Sequence, residues 1–220
     1  TNADLLTRAA QGAPEGLWLR ADAQDGGRGR LGRCWESPKG NMFASTIVRL
    51  RDTDPAAASL AFVTALAVFD AIRQIAPHVD ISLKWPNDIL VGEGKVGGII
   101  AQATEAGVII GVGINVAMTE EEFPVVSATS LALHNCPELE RNIMLSTLLN
   151  TFEELLKRWE SGEDLRHLYS ERSATVGQEV RIEHPDGTHK NGKAVDVTPA
   201  GELILEDGSR VTVGDIVHLR

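Results

Sequence analysis

Four short segments carry the side chains best suited to chemistry, and each sets charged or polar groups among residues that leave room for a ligand. In Gly26-Gly27-Arg28-Gly29-Arg30-Leu31-Gly32-Arg33, glycine alternates with arginine. Backbone of that kind can approach a ligand closely while three guanidinium groups converge on it, which suits a phosphate or a carboxylate. Such runs also occur in RNA-binding tails and in solvated loops, although this one appears once, between two expected strands of an acidic chain. Lys84-Trp85-Pro86-Asn87-Asp88 gathers a cation, an aromatic ring, an amide and a carboxylate; an ordinary turn beside a core tryptophan is the competing reading. Lys95-Val96-Gly97-Gly98 opens a strand with a lysine and two glycines, where a surface lysine is the plain alternative. Gly111-Val112-Gly113-Ile114-Asn115 ends a strand with small residues and an asparagine able to bind ribose or amide groups, though a strand glycine can equally mark a bulge.

Other chemistries lack their marks. The six histidines show neither i, i+4 pairing nor cysteine companions, so a structural zinc is not expected. No G-x-S-x-G elbow and no G-x-x-x-x-G-K-[ST] loop occurs, which removes the usual signs of a hydrolase triad and of a P-loop ATPase. A net charge of -10 repels nucleic-acid phosphates over most of the surface, and no nucleic-acid partner is expected. No apolar run is seen to approach the roughly 18 residues that span a bilayer, and no export leader opens the chain. With two cysteines and no C-x-x-C pair, a reducing, cytoplasmic location is the expectation. Residue 1 is Thr, and a helix begins almost at once, so upstream residues are expected to be missing.

The positioning elements follow from periodicity. Asn2 reads as the N-cap of a short helix ended by Gly12 and Pro14, and residues 17–23 read as a strand. The stretch 24–40 is a long loop of the kind that binds ligands, and a strand over 42–50 follows. Asp54 and Pro55 suit the start of a helix over 56–74 that is apolar all round and therefore buried. Residues 81–85, 88–91, 96–104 and 108–116 read as an antiparallel meander with tight glycine turns. Apolar residues at helical spacing from Leu139 to Trp159, closed by Ser161-Gly162, predict a long helix, with a short one over Leu165 and Leu168. Beyond it, short β runs with a turn about every ten residues suggest a small barrel. The fold class is α+β, a mixed, mainly antiparallel sheet with flanking helices, with a boundary separating 1–173 from 174–220.

Taken in order, Thr1-Asn2, Gln24, residues 27–33, Trp35, residues 84–88, 95–99 and 111–115 resemble the catalytic domain of bacterial biotin protein ligases, a class II synthetase-like fold. The C-terminal 45 or so residues resemble the family's SH3-like cap. The resemblance implies an ATP-dependent ligase that makes biotinyl-5'-AMP with release of pyrophosphate and then transfers biotin to a lysine of a biotin carboxyl carrier protein domain. Its partner is that domain of a biotin-dependent carboxylase, and a homodimer is compatible with it. It also implies a biotin site of Thr1, Asn2, Gln24, Arg28, Gly29, Arg30 and Lys95, with Gly27, Trp35, Trp85, Asn87, Gly97, Gly98 and Asn115 completing the biotin and nucleotide contacts. Arg28, Arg30 and Lys95 are the catalytic cations, ATP comes with Mg2+, and Asp88 is the candidate metal ligand. The serine that precedes Thr1-Asn2 in the family is absent, and nothing here resembles the DNA-binding domain that some relatives carry. A lipoate or octanoate ligase and a non-catalytic binding module are the rival readings.

Overall fold

The structure is a computed structural model and describes residues 1–52, 54–136 and 139–219. In chain order its elements are α1 (Asn2–Ala10), β1 (Trp18–Ala21), β2 (Met42–Val48), α2 (Leu60–Ile75), β3 (Ile81–Lys84), β4 (Asp88–Val91), β5 (Gly94–Thr104) and β6 (Gly107–Ile114). Then come α3 (Arg141–Glu160), α4 (Arg166–Arg172), β7 (Glu179–Glu183), β8 (His189–Val197), β9 (Leu203–Leu205), β10 (Arg210–Val211) and β11 (Asp215–His218). Among the described residues the strands form a six-stranded sheet, in the order β1-β2-β6-β5-β4-β3, and a five-stranded sheet, in the order β10-β9-β8-β7-β11. Every strand pairing in both is antiparallel, as the expected α+β class requires.

Side chains alternate across a strand, and that alternation gives the large sheet two different faces. Met42, Val48, Val108, Ile110, Val112 and Ile114 point to one face and share a core with Leu66, Ile72, Leu148 and Phe152 of α2 and α3. On the other face, Ile47 and Ile109 pack under Leu5 and Ala9 of α1, and the rest of that face is left for the site. The main core runs on without a break into the small sheet through Val180, Ile182, Leu203 and Ile216, so the two sheets are packed as neighbours.

Several sequence expectations shift at the ends of elements. The N-cap of α1 is Thr1, not Asn2, which is its first helical residue and points its amide at the sheet. Asp54 does not cap α2; its carboxylate accepts from the Arg51 backbone N–H at 2.7 Å. The helix proper starts after a 3-10 turn at Ala57–Ser59, where buried Ser59 accepts the Trp159 indole N–H at 2.7 Å. The stretch Ala57–Ile75 does match a membrane span in length and composition, contrary to the sequence reading, because a helix buried between a sheet and another helix needs the same all-round apolarity. Val96 forms a bulge in β5, where Ile89 pairs with Gly97 but Leu90 with Lys95. One extra residue reverses the parity of the strand, and that places Lys95 on the same face as Gly98.

Candidate active site

The site is built on the sheet face that carries α1. At one end Ser45 of β2 lies directly opposite Gly111 of β6, and the Asn2 side chain fills the space that a Cβ on Gly111 would need. Ser45 Oγ, fully buried, lies 2.7 Å from Thr1 Oγ1 and 2.5 Å from Asn2 Oδ1. Its single proton serves one of them at a time. Thr1 Oγ1 donates to Gln24 Oε1 at 3.0 Å, Gln24 Nε2 donates to Ser37 Oγ at 3.1 Å, and Ser37 Oγ donates to the Trp35 carbonyl at 3.0 Å. A chain of amides and hydroxyls therefore runs from the sheet into the arginine-glycine loop and offers both donors and acceptors. Ser45 and Ser37 were missed in the sequence. Ser45 had a signal, in that Ser45 and Thr46 put hydroxyls inside the otherwise apolar run Met42–Val48, whereas Ser37 had none.

Glycine forms the floor. Gly98 and Gly113 are partners across β5 and β6, and the Trp35 ring lies against both: a Cβ on Gly113 would come within 2.7 Å of Nε1, and one on Gly98 within 3.4 Å of the ring edge. Trp35 Nε1 is buried and finds no hydrogen-bond partner among the described residues. Leaving a buried donor unpaired costs about 1–3 kcal/mol, so an acceptor arriving with a ligand has something to gain here.

Cations stand at the far end. The Lys95 ammonium sits 2.5 Å from Asp88 Oδ1 and 5.3 Å from the centre of the Trp35 ring. Arg30 is half-buried and donates to Asn87 Oδ1 at 3.2 Å, while Asn87 Nδ2 donates to the Ile99 carbonyl at 2.7 Å. Burial lowers the proton affinity of Arg30, and Asp215 pulls it back up; an arginine remains charged throughout. Gly27 is required by geometry, because a Cβ there would run into the Trp35 carbonyl and Ser37 Oγ. Gly29 has open space around it, with Arg33 as its nearest neighbour at 3.7 Å.

The structure corrects parts of the expected set. The three arginines of the loop do not converge on one point: Arg30 and Arg33 both turn to Asp215 of the small sheet, at 3.7 and 3.0 Å, while Arg28 is exposed and its backbone bridges Cys34. Opposed charge on a neighbouring sheet wins over mutual repulsion in the loop. Trp85 is core, 3% exposed, with its indole N–H given to the Gly201 carbonyl at 2.8 Å. Gly97 faces the helix-packed side, where a Cβ would meet Ile114 at 2.5 Å, so its smallness serves packing. Asn115 is buried and donates to the Thr129 carbonyl at 3.0 Å, which makes it a brace for the loop after β6. Among the described residues no three His, Cys, Asp or Glu side chains are grouped to hold a metal. Asp88 alone fits only a cation shared with phosphate oxygens, the usual manner of Mg2+. An open cavity of about 390 Å³ between α1 and β1 shares only Thr1 with these residues.

A polar pole, a glycine floor under an aromatic ring and a group of cations at the opposite end could take up an acid with a polar head and neutralise its carboxylate. Residues 6–116 match the biotin/lipoate A/B protein ligase family, and residues 175–219 match the biotin protein ligase C-terminal domain. The chain belongs to this family. It is 39% identical to a biotin--[acetyl-CoA-carboxylase] ligase of Mycobacterium tuberculosis, over 100% of this chain and 86% of the relative. With the enzyme of the same name from Paracoccus denitrificans it shares 30% identity, over 93% of this chain and 90% of that one. Among solved structures it is similar to the biotin protein ligase from Aquifex aeolicus in complex with biotin and ATP, with a TM-score of 0.84, 27% identity and coverage of 98% of this chain and 94% of that one.

Proposed function

We propose that the chain activates biotin with ATP as biotinyl-5'-AMP, releasing pyrophosphate, and then passes biotin to a lysine of a biotin carboxyl carrier protein domain of a carboxylase. The carrying observation is the separation of the Ser45–Asn2–Thr1–Gln24 pole from the Lys95–Arg30 cations by a glycine and indole floor. Biotin has matching ends: a ureido ring that needs donors and acceptors, an apolar body, and a carboxylate. Relatives that carry a biotin ligase name over almost the whole chain support the same reading.

In this reading the polar pole holds the ureido group, and the indole and the two glycines hold the rings and tail. A carboxylate oxygen then forms the bond to the α-phosphorus of ATP as the bond to pyrophosphate breaks. Two anions must meet for this to happen, and Lys95, Arg30 and Arg28 neutralise them and stabilise charge as it builds on the phosphoryl oxygens. Lys95 would leave Asp88 for that task, and Asp88 is the residue that would hold Mg2+, which would supply further charge neutralisation. The carrier lysine attacks the acyl carbon as a neutral amine and AMP leaves. The arginine-glycine loop, lying over the anhydride, keeps water from the adenylate. We take 1–173 as the catalytic unit and 174–220 as its cap, working in the cytoplasm where ATP and carrier meet.

Pyrophosphate release from ATP and Mg2+ tests the reading, with biotin, lipoate and octanoate compared in parallel. Release with biotin alone is expected; release with lipoate or octanoate instead would move the chain to the other branch of the family's chemistry.

A further inference from the structure

The arginine-glycine loop is held by the small sheet through contacts of Arg30 and Arg33. Arg33 Nη2 donates to Asp215 Oδ1 at 3.0 Å, and Arg30 Nη1 stands 3.7 Å from the same oxygen. Both Nη groups of Arg30 also reach the carbonyl of Gly214 at 3.4 Å. Gly214 must be glycine to present that carbonyl, since a Cβ would come within 2.7 Å of Ile182. Between the two arginines, Leu31 takes φ 55 and ψ 29, a left-handed backbone that a bulky side chain rarely adopts, and its side chain is exposed. With the Leu31 side chain in solvent, the turn is closed locally by the Gly29 N–H to Arg33 carbonyl bond at 2.8 Å and the Arg33 N–H to Arg30 carbonyl bond at 3.2 Å, and is tied to the rest of the protein by its flanking arginines.

We propose that Asp215, with the Gly214 carbonyl, is a positioning residue for the first reaction: it clamps the turn at residues 30–33 so that Arg30 stays half-buried against Asn87 before any ligand binds. The guanidinium fork has five N–H groups. Asn87 and Gly214 engage the two on Nη1 and one on Nη2, with Asp215 as an ion-pair partner 3.7 Å from Nη1, which leaves Nε–H and the second Nη2 hydrogen for an incoming anion. Arg30 thus does not have to exchange partners. The ion pairs with Asp215 offset the cost of burying its charge, and a loop already in place loses less freedom when the ligand arrives.

The inference rests on the role given to Arg30 above, and the test separates the two. In the ligand-free protein, tryptic cleavage after Arg28, Arg30 and Arg33 should become several-fold faster in Asp215→Asn and return to the wild-type rate in Asp215→Glu, with the unfolding midpoint nearly unchanged. Unaltered cleavage would overturn the clamp, whatever reaction the protein catalyses. In the adenylation assay Asp215→Asn should lower kcat about tenfold, the effect of one charge-assisted hydrogen bond, with little change in the biotin KM. Added to Arg30→Lys, it should cost at most a further twofold, because it acts through that guanidinium. A full tenfold loss in the Arg30→Lys background would refute the assignment, as would a loss confined to KM.

Discussion

The two ends of the site are built in different ways. At the polar end, Ser45, Gly111 and Asn2 sit on paired strands and on the first turn of a helix, with the Ser45 side chain fully buried. Strand pairing and core packing hold them in place, so this end stands ready-made before ligand arrives. At the cationic end, Arg28, Arg30 and Arg33 belong to a loop held by short turns and by Asp215 on another sheet. The first end can recognise one shape and reject its neighbours. The second is set by a few contacts between a loop and another sheet, so single side chains decide where its cations stand. Lys95 mediates between them: a cation on a strand, turned to the site face by the Val96 bulge.

Each end should fail in its own manner. Lys95→Ala removes the strand-borne cation of the candidate site, and biotin-dependent pyrophosphate release is expected to fall by roughly 10²- to 10³-fold, as on loss of a preorganised charge from a transition state. Retention of normal release in that variant would place the chemistry elsewhere. Gly111→Ala drives a methyl group into the Asn2 amide; overpacking of this kind costs about 1–3 kcal/mol. The expected result is a biotin KM raised roughly 10-fold or more, with no faster escape of adenylate once formed. Arg30→Gly should do the converse, releasing and hydrolysing adenylate about tenfold faster while biotin alone binds nearly as before, since a charge-assisted hydrogen bond is worth about 1.5–3 kcal/mol. Measuring biotin affinity and adenylate half-life on this pair of variants would merge the two ends into one if both quantities moved together. Trp85→Phe is the smallest change: it deletes the N–H to the Gly201 carbonyl and should lower unfolding stability by about 1 kcal/mol, leaving kcat close to wild type. A large drop in kcat would return Trp85 to the ligand set.

A sequence is read by neighbours along the chain, and much here is local. The meander over β3 to β6, the buried helix around 60–75 and the long helix ending at Ser161-Gly162 follow from period and turn chemistry, which operate over a few residues. So do the candidates Arg30 and Lys95, whose types and glycine-rich settings suit a ligand before any fold is known, whereas Gln24 enters only through the family resemblance. Trp35 and Trp85 show where that reading stops. Both sit in motifs, yet one lies on the glycine floor with an unpaired N–H and the other is packed in the core, because each is placed by a surface made from distant strands. Gly97 and Gly98 are adjacent and face opposite sides of the sheet, a difference set by the Val96 bulge and by pairing with β6. The sequence by itself determined the inventory of chemical groups and the order of the elements. Only the tertiary structure decided which face each group shares, that Ser45 joins Asn2 and Thr1, and that Asp215, some 180 residues beyond Arg33, holds the loop, since contacts across such separations come from sheet register and core packing rather than from local preference.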